Sequence, residues 1–231
     1  MKVEKQRQRP RPRGGRERVL ETAYGLFKRH GLQAVGVDRI VAEAGVAKTT
    51  LYRHFRSKDD LAVAVLEHHG DVWTHGWLQA EIERRATAPA SRILALFDAY
   101  NEWFHSDDYR GCLLLNSLQE TRDPASPVRA ASQAALSDIR ALIRDLGQAA
   151  GARDPERLAF EIQTLLMGSV VAAVNGHTNA AARMRPIARL LLEHENIAAC
   201  SAAVRAGNSD SPLTVSLISG ARSAEREPRF Q

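Results

Sequence analysis

Apolar side chains recur at intervals of three and four residues along most of this chain, which is the spacing of one face of an α-helix. No stretch keeps up the strict alternation of apolar and polar residues that marks a half-buried strand. The first clear helix runs from Arg16 to a stop at Gly31, and its inner face carries Val19, Leu20, Ala23, Leu26 and Phe27. The pattern predicts an all-α protein of about nine helices.

Two shorter helices follow the first, at Val37 to Ala44 and at Lys48 to Phe55. Gly45 lies between them, and glycine readily takes the left-handed conformation that reverses the chain at the end of a helix. Val46 can then fill the angle between the two helices. Two short helices joined by such a turn predict a helix-turn-helix.

Turn residues divide the rest of the chain into six further helices. Ser57, followed by acidic residues, is a typical N-cap for a fourth helix that continues to about Arg85. The later helices are predicted at Ser91 to about His105, after Gly111, after Pro127, after Pro155 and after Asn179. We expect a flexible basic arm over residues 1–15, a helix-turn-helix domain over 16–58, a larger helical domain over 59–206 and a disordered tail over 207–231.

The positive charge of the chain is concentrated in its first quarter. Residues 1–58 contain fifteen Lys or Arg against five Asp or Glu, whereas the remainder contains seventeen against twenty-two. A basic segment joined to a mildly acidic one is typical of a module that binds a polyanion. The arginines of the arm can either reach a narrow DNA minor groove or simply keep the arm solvated, and the sequence leaves both interpretations open.

The third helix predicts a surface for contact with DNA. Its inner positions are Leu51 and Phe55, and its other side chains point outward. Hydroxyl groups and Lys48 suit phosphate oxygens, Arg53 suits the edge of guanine, and Lys58 can bind a phosphate beside the start of the fourth helix. The candidate DNA-binding residues are Arg39, Lys48, Thr49, Thr50, Tyr52, Arg53, His54 and Lys58. The alternative interpretation is a tight helical corner with an ordinary solvated face.

The same region resembles the DNA-binding domain of the TetR family of transcriptional regulators. The matching residues are Leu26-Phe27 before Gly31, Ile40, Ala42, Ala44-Gly45-Val46, Thr50-Leu51-Tyr52, His54-Phe55, and Ser57-Lys58 with Leu61. The resemblance implies a homodimer that binds a palindromic, double-stranded DNA operator, with the later helices forming a ligand-binding and dimerisation domain. It also implies phosphate contacts by Thr50, Tyr52 and Lys58 and base contacts by Thr49 and Arg53.

Two positions depart from the family pattern. Gly36 stands where Thr or Ser commonly caps the second helix, and Ala47 stands where Ser usually caps the third. Each change is expected to remove a capping hydrogen bond and a possible phosphate contact. We therefore expect weaker anchoring at these two points but the same fold.

Aromatic residues between the fourth and sixth helices suggest a site for a small-molecule effector. Several of them share one stripe of the fifth helix, and a few amides fall nearby, as in a cavity with a small number of polar groups. The candidate ligand-binding residues are Trp73, Phe97, Tyr100, Trp103, Phe104, Cys112, Asn116, Gln163 and Met167. Core packing is the competing interpretation for each of them. Cys112 can be either a reactive sensor or an inert buried thiol.

The last two predicted helices are rich in small and aliphatic residues. The eighth is apolar almost all round, so it must be covered on more than one side. A four-helix interface with the same helices of a second copy would cover it, and burial within one chain is the alternative.

Other sequence features narrow the class of protein. Cys112 and Cys200 are far apart and fit free thiols in a reducing compartment. We expect no membrane span and no signal peptide, and hence a cytoplasmic protein. His68, His69 and His75 have no carboxylate or cysteine to complete a metal site, so we expect neither metal nor cofactor.

The preferred function is a repressor that a small-molecule effector releases from DNA. One alternative is a DNA-binding protein without sequence preference, of the nucleoid type. A second is an α-helical enzyme, for which the only acidic cluster is Asp107-Asp108 beside His105. Adjacent acids point in different directions, so we expect this pair to cap the sixth helix instead.

Overall fold

The computed structural model describes residues 14–107 and 109–197, and this part of the chain forms nine helices without a strand. The predicted all-α class is confirmed. The helices are α1 (Gly15–His30), α2 (Val37–Ala44), α3 (Lys48–His54), α4 (Lys58 to Arg85), α5 (Pro89–Phe104), α6 (Leu113–Glu120), α7 (Pro127–Ala149), α8 (Pro155–Val174) and α9 (Ala180–His194). Cys200, nearly all of the predicted arm, the end of the predicted larger domain and the predicted tail lie outside the described residues.

α4 is a run of three consecutive helical segments: Lys58–His69 is α-helical, Gly70–Leu78 is a π-helix and Gln79–Arg85 is α-helical again. In a π-helix each N–H group bonds to the carbonyl five residues earlier. A Cβ atom at Gly76 would lie 3.1 Å from the carbonyl oxygen of Asp71, so glycine lets this turn close. The predicted long helix to about Arg85 is confirmed, but apolar spacing does not register the local widening within it.

The reading head, residues 14–57, is built around one apolar core. α1 lies across α2 and α3, and Gly31 ends α1 with a positive φ of 82°. α1 also packs against α4, so the head is attached to the body, residues 58–197, through a helix–helix contact. The buried apolar residues of the head are Val19, Ala23, Leu26, Phe27, Leu32, Val35, Ile40, Ala44, Leu51 and Phe55. The domain boundary at residue 58 stays a prediction.

The helix starts in the head follow the expected capping chemistry. The Ser57 hydroxyl accepts a hydrogen bond from the Asp60 N–H (3.0 Å), and the Asp60 carboxylate accepts one from the Arg56 N–H (2.9 Å). This reciprocal pair fixes the start of α4. Gly36 and Ala47 are the N-caps of α2 and α3 and supply no side-chain bond, which confirms the two missing caps.

α6 begins differently from our expectation. Its N-cap is Cys112, which makes no side-chain capping bond, so Asp107 does not cap this helix. Asp108 lies outside the described residues. The prediction of an acidic cap failed because the turn that ends at Gly111 places the acids several residues before the helix start.

The body is organised around α5, which contacts α4, α7, α8 and α9. A helix surrounded in this way buries nearly every side of itself, and nine of its sixteen residues are buried. Phe97, Tyr100 and Phe104 are among them. The aromatic stripe of α5 is therefore part of the core.

A buried carboxylate links the start of α8 to the end of α9. Glu195, directly after α9, is only 2% exposed and accepts hydrogen bonds from the N–H groups of Arg153 (2.7 Å) and Asp154 (3.0 Å) at the start of α8. The Arg157 guanidinium also donates to it. Burial alone would raise the pKa of Glu195, but these donors outweigh it and leave the pKa lowered.

Candidate DNA-binding surface and effector cavity

The turn between α2 and α3 has the geometry that a helix-turn-helix needs. Gly45 adopts a left-handed conformation (φ 62°, ψ 41°), and its N–H lies 3.3 Å from the carbonyl oxygen of Ala42. The N–H of Val46 bonds to the carbonyl of Val41 at 3.1 Å, which satisfies a second carbonyl at the end of α2. The predicted role of Gly45 is confirmed.

α3 turns its apolar residues inward and its polar residues outward. Leu51 and Phe55 are buried, whereas Lys48, Thr49, Tyr52, Arg53 and His54 are exposed. Tyr52 is 46% exposed, so its phenol group is accessible from solvent. The surface is therefore free to meet DNA, and the individual phosphate and base contacts stay predictions.

Thr50 occupies a more enclosed position than its neighbours. It is half-buried, and a Cβ atom on Gly15 would lie only 2.9 Å from its Cγ2 atom. Glycine at the start of α1 therefore makes room for Thr50. Its methyl group packs against α1.

Two of the candidate cations already have acidic neighbours within the head. Lys48 Nζ lies 2.7 Å from Asp38 Oδ1, and Arg39 Nε donates to Glu43 at 2.9 Å while its Nη2 lies 3.0 Å from His30. The hydrogen bond and the charge of Asp38 raise the pKa of Lys48. Exposed ion pairs of this kind are weak, so a DNA phosphate can replace the acid.

Lys58 lies at the junction of head and body. It lines a crevice of about 360 Å³ between the α1–α2 loop, the first turn of α4 and the α6–α7 connection. Leu32 and Gln33 form the head side of this crevice, and Glu120 and Arg122 belong to the body side. Lys58 is thus the first residue of α4, as the sequence predicted, and its phosphate contact stays a prediction.

Glu120, which sequence reasoning missed, ties α6 to the head. Its carboxylate accepts a hydrogen bond from the Gln33 N–H at 2.7 Å, and a Cβ atom on Gly31 would collide with it. The partners are 87 residues apart in sequence, so no local pattern predicts the contact. Because Gln33 precedes α2, this bond connects the body directly to the helix-turn-helix.

A chain of rings forms a second connection between α1 and the body. The Tyr24 hydroxyl lies 3.1 Å from His69 Nδ1, and the His69 ring stacks on Trp73 with centroids 5.6 Å apart. Trp73 then meets Trp103 of α5 at 5.1 Å. Burial, helped by the positive charges of Lys28 and His68, lowers the pKa of His69 to about 4, so its ring is neutral at pH 7.

The nine candidate ligand-binding residues do not line a single cavity. Gln163 and Met167 line a groove between α6, α7 and α8, whereas Trp73 and Trp103 line a separate hollow of about 260 Å³. The remaining five line neither: Phe97, Tyr100, Phe104 and Cys112 are buried and Asn116 is half-buried. The described cavities therefore divide the candidates between two places, and their contacts with a ligand stay a prediction.

Cys112 lies in an environment that favours the thiol. It is buried, and burial raises the pKa of its thiol despite hydrogen bonds from the backbone of Leu115 and Leu114. Since the thiolate is the reactive form, this environment supports the inert interpretation.

A groove of about 750 Å³ lies between α6, α7 and α8. This volume lies within the usual range for small-molecule sites. On α7 the lining residues are three, one and three positions apart, so they share one face of the helix. Periodicity can identify this face, but it does not show that the face lies beside α8. The groove is lined by Leu115, Gln119, Gln133, Leu136, Ser137, Arg140, Gln163, Thr164, Met167, Gly168 and Val171.

The three histidines considered for a metal face different neighbours. His68 Nε2 lies 3.4 Å from Glu21 Oε1, and His69 bonds to Tyr24. His75 lies in a shallow hollow between α4 and α7. No group of three metal-ligating side chains occurs among residues 14–107 and 109–197.

α8 and α9 leave an apolar strip uncovered on the outside of the body. Phe160 is 60% exposed, Val171 51% and Val174 61% on α8, and Ile187 and Leu190 continue the strip on α9. α8 is also the one described helix that is long and apolar enough to cross a membrane by composition alone. It packs against α5, α7 and α9, and core helices of soluble proteins pass the same test.

Two family descriptions match this chain over the parts that correspond to head and body. "Bacterial regulatory proteins, tetR family" matches residues 19–65, and "Tetracyclin repressor-like, C-terminal domain" matches residues 89–187. The chain belongs to the TetR family. It is therefore a DNA-binding transcriptional regulator, and the helix-turn-helix interpretation is confirmed. The TetR family is a family of regulators and not of enzymes.

Curated relatives match this TetR-family regulator over part of their length. The transcriptional activator FasR of Mycolicibacterium smegmatis is 34% identical over 135 residues, which are 57% of this chain and 60% of FasR. An HTH-type transcriptional regulator of Staphylococcus aureus is 39% identical over 61 residues, which are 26% of this chain and 33% of that protein.

Solved structures of TetR-family proteins match more of the chain. A putative regulator from Streptomyces avermitilis is 28% identical with a TM-score of 0.71, covering 80% of this chain and 100% of that one. A regulator from Streptomyces coelicolor is 29% identical with a TM-score of 0.68, covering 78% and 95%. Head and body thus share the architecture of these TetR-family structures.

Proposed function

We propose that this TetR-family protein is a homodimeric, cytoplasmic repressor that a small-molecule effector releases from a palindromic operator, and that it has no enzymatic activity. FasR is named an activator, so a relative in sequence can act with the opposite sign. From the geometry we propose that an effector releases the protein from DNA. A transcription assay with and without effector then decides whether this release raises or lowers transcription.

The observation that carries this proposal is the position of α6 between groove and head. Gln119 lines the groove, and the next residue, Glu120, accepts the hydrogen bond from Gln33 in the head. α6 has only eight residues, so a ligand that displaces Gln119 also moves Glu120. If the ligand binds one position of α6 more tightly than the other, it changes the fraction of molecules whose heads can bind DNA.

The apolar strip on α8 and α9 supports the homodimer. Phe160, Val174 and Leu190 are each more than half exposed, and a patch of this kind marks an interaction surface. Pairing with the same strip of a second copy gives a two-fold arrangement. Two heads about 34 Å apart then read successive major grooves, which requires a palindromic site.

In this proposal the exposed face of α3 reads the operator. Thr50, Tyr52 and Lys58 contact phosphates, and Thr49 and Arg53 contact bases. The flanking cations and His54 add electrostatic attraction. Because Gly36 and Ala47 supply no caps, anchoring depends more on Tyr52 and Lys58.

Selection of bound sequences from random DNA tests the DNA-binding part of the proposal. We expect the wild-type protein to recover a two-fold symmetric site, and Arg53→Ala to lose about tenfold in affinity and relax the preference at one base pair. Arg29→Ala is the matched control, because Arg29 is exposed at the end of α1 and bonds to the Gly25 carbonyl. Unchanged operator binding by Arg53→Ala, or a specificity ratio near one for the wild type, would contradict it.

A variant of Glu120 tests the coupling separately. Glu120→Ala removes the acceptor for the Gln33 N–H while leaving α3 intact, so we expect a several-fold loss of operator affinity without a change in the preferred sequence. The measurement is operator binding by fluorescence anisotropy, with Arg53→Ala for comparison. An affinity and an effector response equal to those of the wild type would show that α6 does not transmit the signal.

A further inference from the structure

We propose that the groove between α6, α7 and α8 takes a small amphipathic anion, with its acidic group on Arg140 and its aliphatic part on the apolar wall. This inference rests on the proposed function, since it names the chemical class of the effector. It follows from the charge and the lining of the groove and not from its volume alone.

The apolar wall of the groove is aliphatic. Leu115 comes from α6, Leu136 from α7 and Met167 from α8, and Val171 lies at the border between the groove and the apolar strip. No aromatic side chain lines the groove among the described residues. A flexible aliphatic body therefore fits this wall better than a flat ring that requires stacking.

Arg140 is the only charged residue among those that line the groove. It is half-buried and forms no ion pair with any carboxylate that residues 14–107 and 109–197 contain. A partly buried cation without a counter-ion favours an anion from outside, because a charge-assisted hydrogen bond is stronger than a neutral one. The groove supplies that cation and no acid.

Other arginines of the same region show what a structural arginine does here. Arg144, one turn further along α7, bonds to Asp145 at 2.8 Å and to Glu156 at 3.5 Å. Arg157, at the start of α8, is paired with Glu195. Arg140 differs from both because its guanidinium pairs with no carboxylate of the described residues.

The Arg140 side chain is also positioned by its neighbours on α7. Its Nη2 lies 3.4 Å from the Ser137 hydroxyl, which in turn donates to the Gln133 carbonyl at 2.9 Å. Ser137 and Gln133 both line the groove. The guanidinium thus contacts the groove wall through Ser137, whereas the Thr164 hydroxyl on the opposite side already donates to the Phe160 carbonyl at 2.7 Å.

The length of the groove separates the two ends of such a ligand. From Gln133 to Arg140 the axis of α7 advances by about 10 Å, at 1.5 Å per residue. Gln119 lies on α6, whose end is joined to the start of α7. We infer that the acidic group lies at the Arg140 end and that the aliphatic end approaches α6, the helix that carries Glu120.

The test measures binding to the full chain in the absence of DNA by isothermal titration calorimetry. The probes are octanoate, octanol and octylamine, which share one alkyl chain and differ in the charge of the polar group. We expect octanoate to bind about tenfold more tightly than octanol, and octylamine to bind least well. Equal affinity for octanoate and octanol would overturn the proposal. Octyl phosphate in the same series distinguishes a phosphate from a carboxylate as the preferred acid.

Two variants of α7 assign the preference to one side chain. Arg140→Gln should bring octanoate to within about twofold of octanol, whereas Arg144→Gln, which changes the net charge equally on the same helix, should keep the preference. A preference that survives in Arg140→Gln would overturn the role of Arg140.

A third variant tests the position of the ligand. A Cβ atom on Gly168 would meet nothing within 4 Å, so Gly168→Leu fills the groove without a clash at the backbone. We expect this variant to lose binding of both octanoate and octanol. Unchanged binding would place the ligand elsewhere. Loss of the dimer in sedimentation with ligand binding retained would assign the groove to a second copy and also overturn the proposal.

The two proposals fail in different ways. If octanoate binds through Arg140 but does not release the operator, the anion site stands and the effector mechanism is contradicted. If another compound releases the operator and octanoate shows no preference over octanol, the mechanism stands and the anion site is wrong.

Discussion

Charged side chains serve opposite purposes in the reading head and in the body. In the head, Lys48 and Asp38 form an ion pair whose side chains are 52% and 82% exposed. In the body, Glu195 is 2% exposed and is surrounded by donors from the start of α8. Both are close contacts, but only one is removed from water.

The difference decides what each contact contributes. An exposed ion pair is weakened by water and salt, and it contributes little to stability. A buried carboxylate with several donors is expensive to remove, because the donors are then left unsatisfied. The Lys48–Asp38 pair therefore leaves Lys48 accessible to a DNA phosphate, whereas Glu195 holds α8 and α9 together.

Removal of the buried carboxylate should have the largest effect. Glu195→Ala leaves the Arg157 guanidinium and the N–H groups of Arg153 and Asp154 without their acceptor, and we expect a loss of about 3 kcal/mol in the free energy of unfolding. Chemical denaturation measures this loss. Glu193→Ala is the matched control, since Glu193 is an exposed acid in the last turn of α9.

The pH dependence of the same variant gives a second readout. The pKa of Glu195 is lowered in the folded state, so its contribution is complete above the ordinary glutamate pKa and is lost as the pH falls through the lowered value. The stability difference between the wild type and Glu195→Ala should therefore shrink in acid. An equal loss for Glu193→Ala would contradict the contrast between buried and exposed acids.

His69 should give the next largest effect, as a dependence of stability on pH. Its pKa is about 4 in the folded protein, against 6.5 ordinarily, so only the unfolded chain takes up a proton between these values. Stability is complete above pH 6.5 and falls as the pH drops towards 4. From pH 7 to pH 5 we expect the wild type to lose about 2 kcal/mol through this group.

The variant His69→Gln should flatten this part of the pH profile, because it removes the titrating ring and keeps a polar group opposite Tyr24. Thermal or chemical denaturation at several pH values provides the measurement. His54→Gln removes an exposed histidine of the head for comparison. If both variants changed the slope equally, burial at the α1–α4 contact would not be its cause.

The same contrast explains how much the sequence could predict. The head was predictable because each of its constraints is local: Gly45 closes α2, and Phe55, directly after α3, follows Leu51 by one turn. The absence of caps at Gly36 and Ala47 could also be read from two positions. Short-range chemistry decides the head, so the order of residues is enough.

The body was less predictable because its decisive contacts join distant residues. Gln33 and Glu120 are 87 positions apart, and the groove brings together faces of three helices. Periodicity identifies the inner face of α5, but it does not tell whether Tyr100 meets a ligand or other core residues. The π-helical segment of α4 was not predicted for a similar reason, since its widened turn depends on packing as well as on Gly76.

The smallest expected effect on stability comes from a variant in the head, and this variant separates DNA binding from stability most clearly. Asp38→Asn removes the acidic partner of Lys48, and because both side chains are exposed we expect the free energy of unfolding to stay close to that of the wild type. Operator affinity should rise by a few-fold at low salt, since Lys48 is then free for a phosphate and one repulsive charge is gone. Glu193→Gln changes the net charge equally in the body. A fall in affinity for Asp38→Asn alone would mean that the pair positions Lys48 for DNA instead of competing with it.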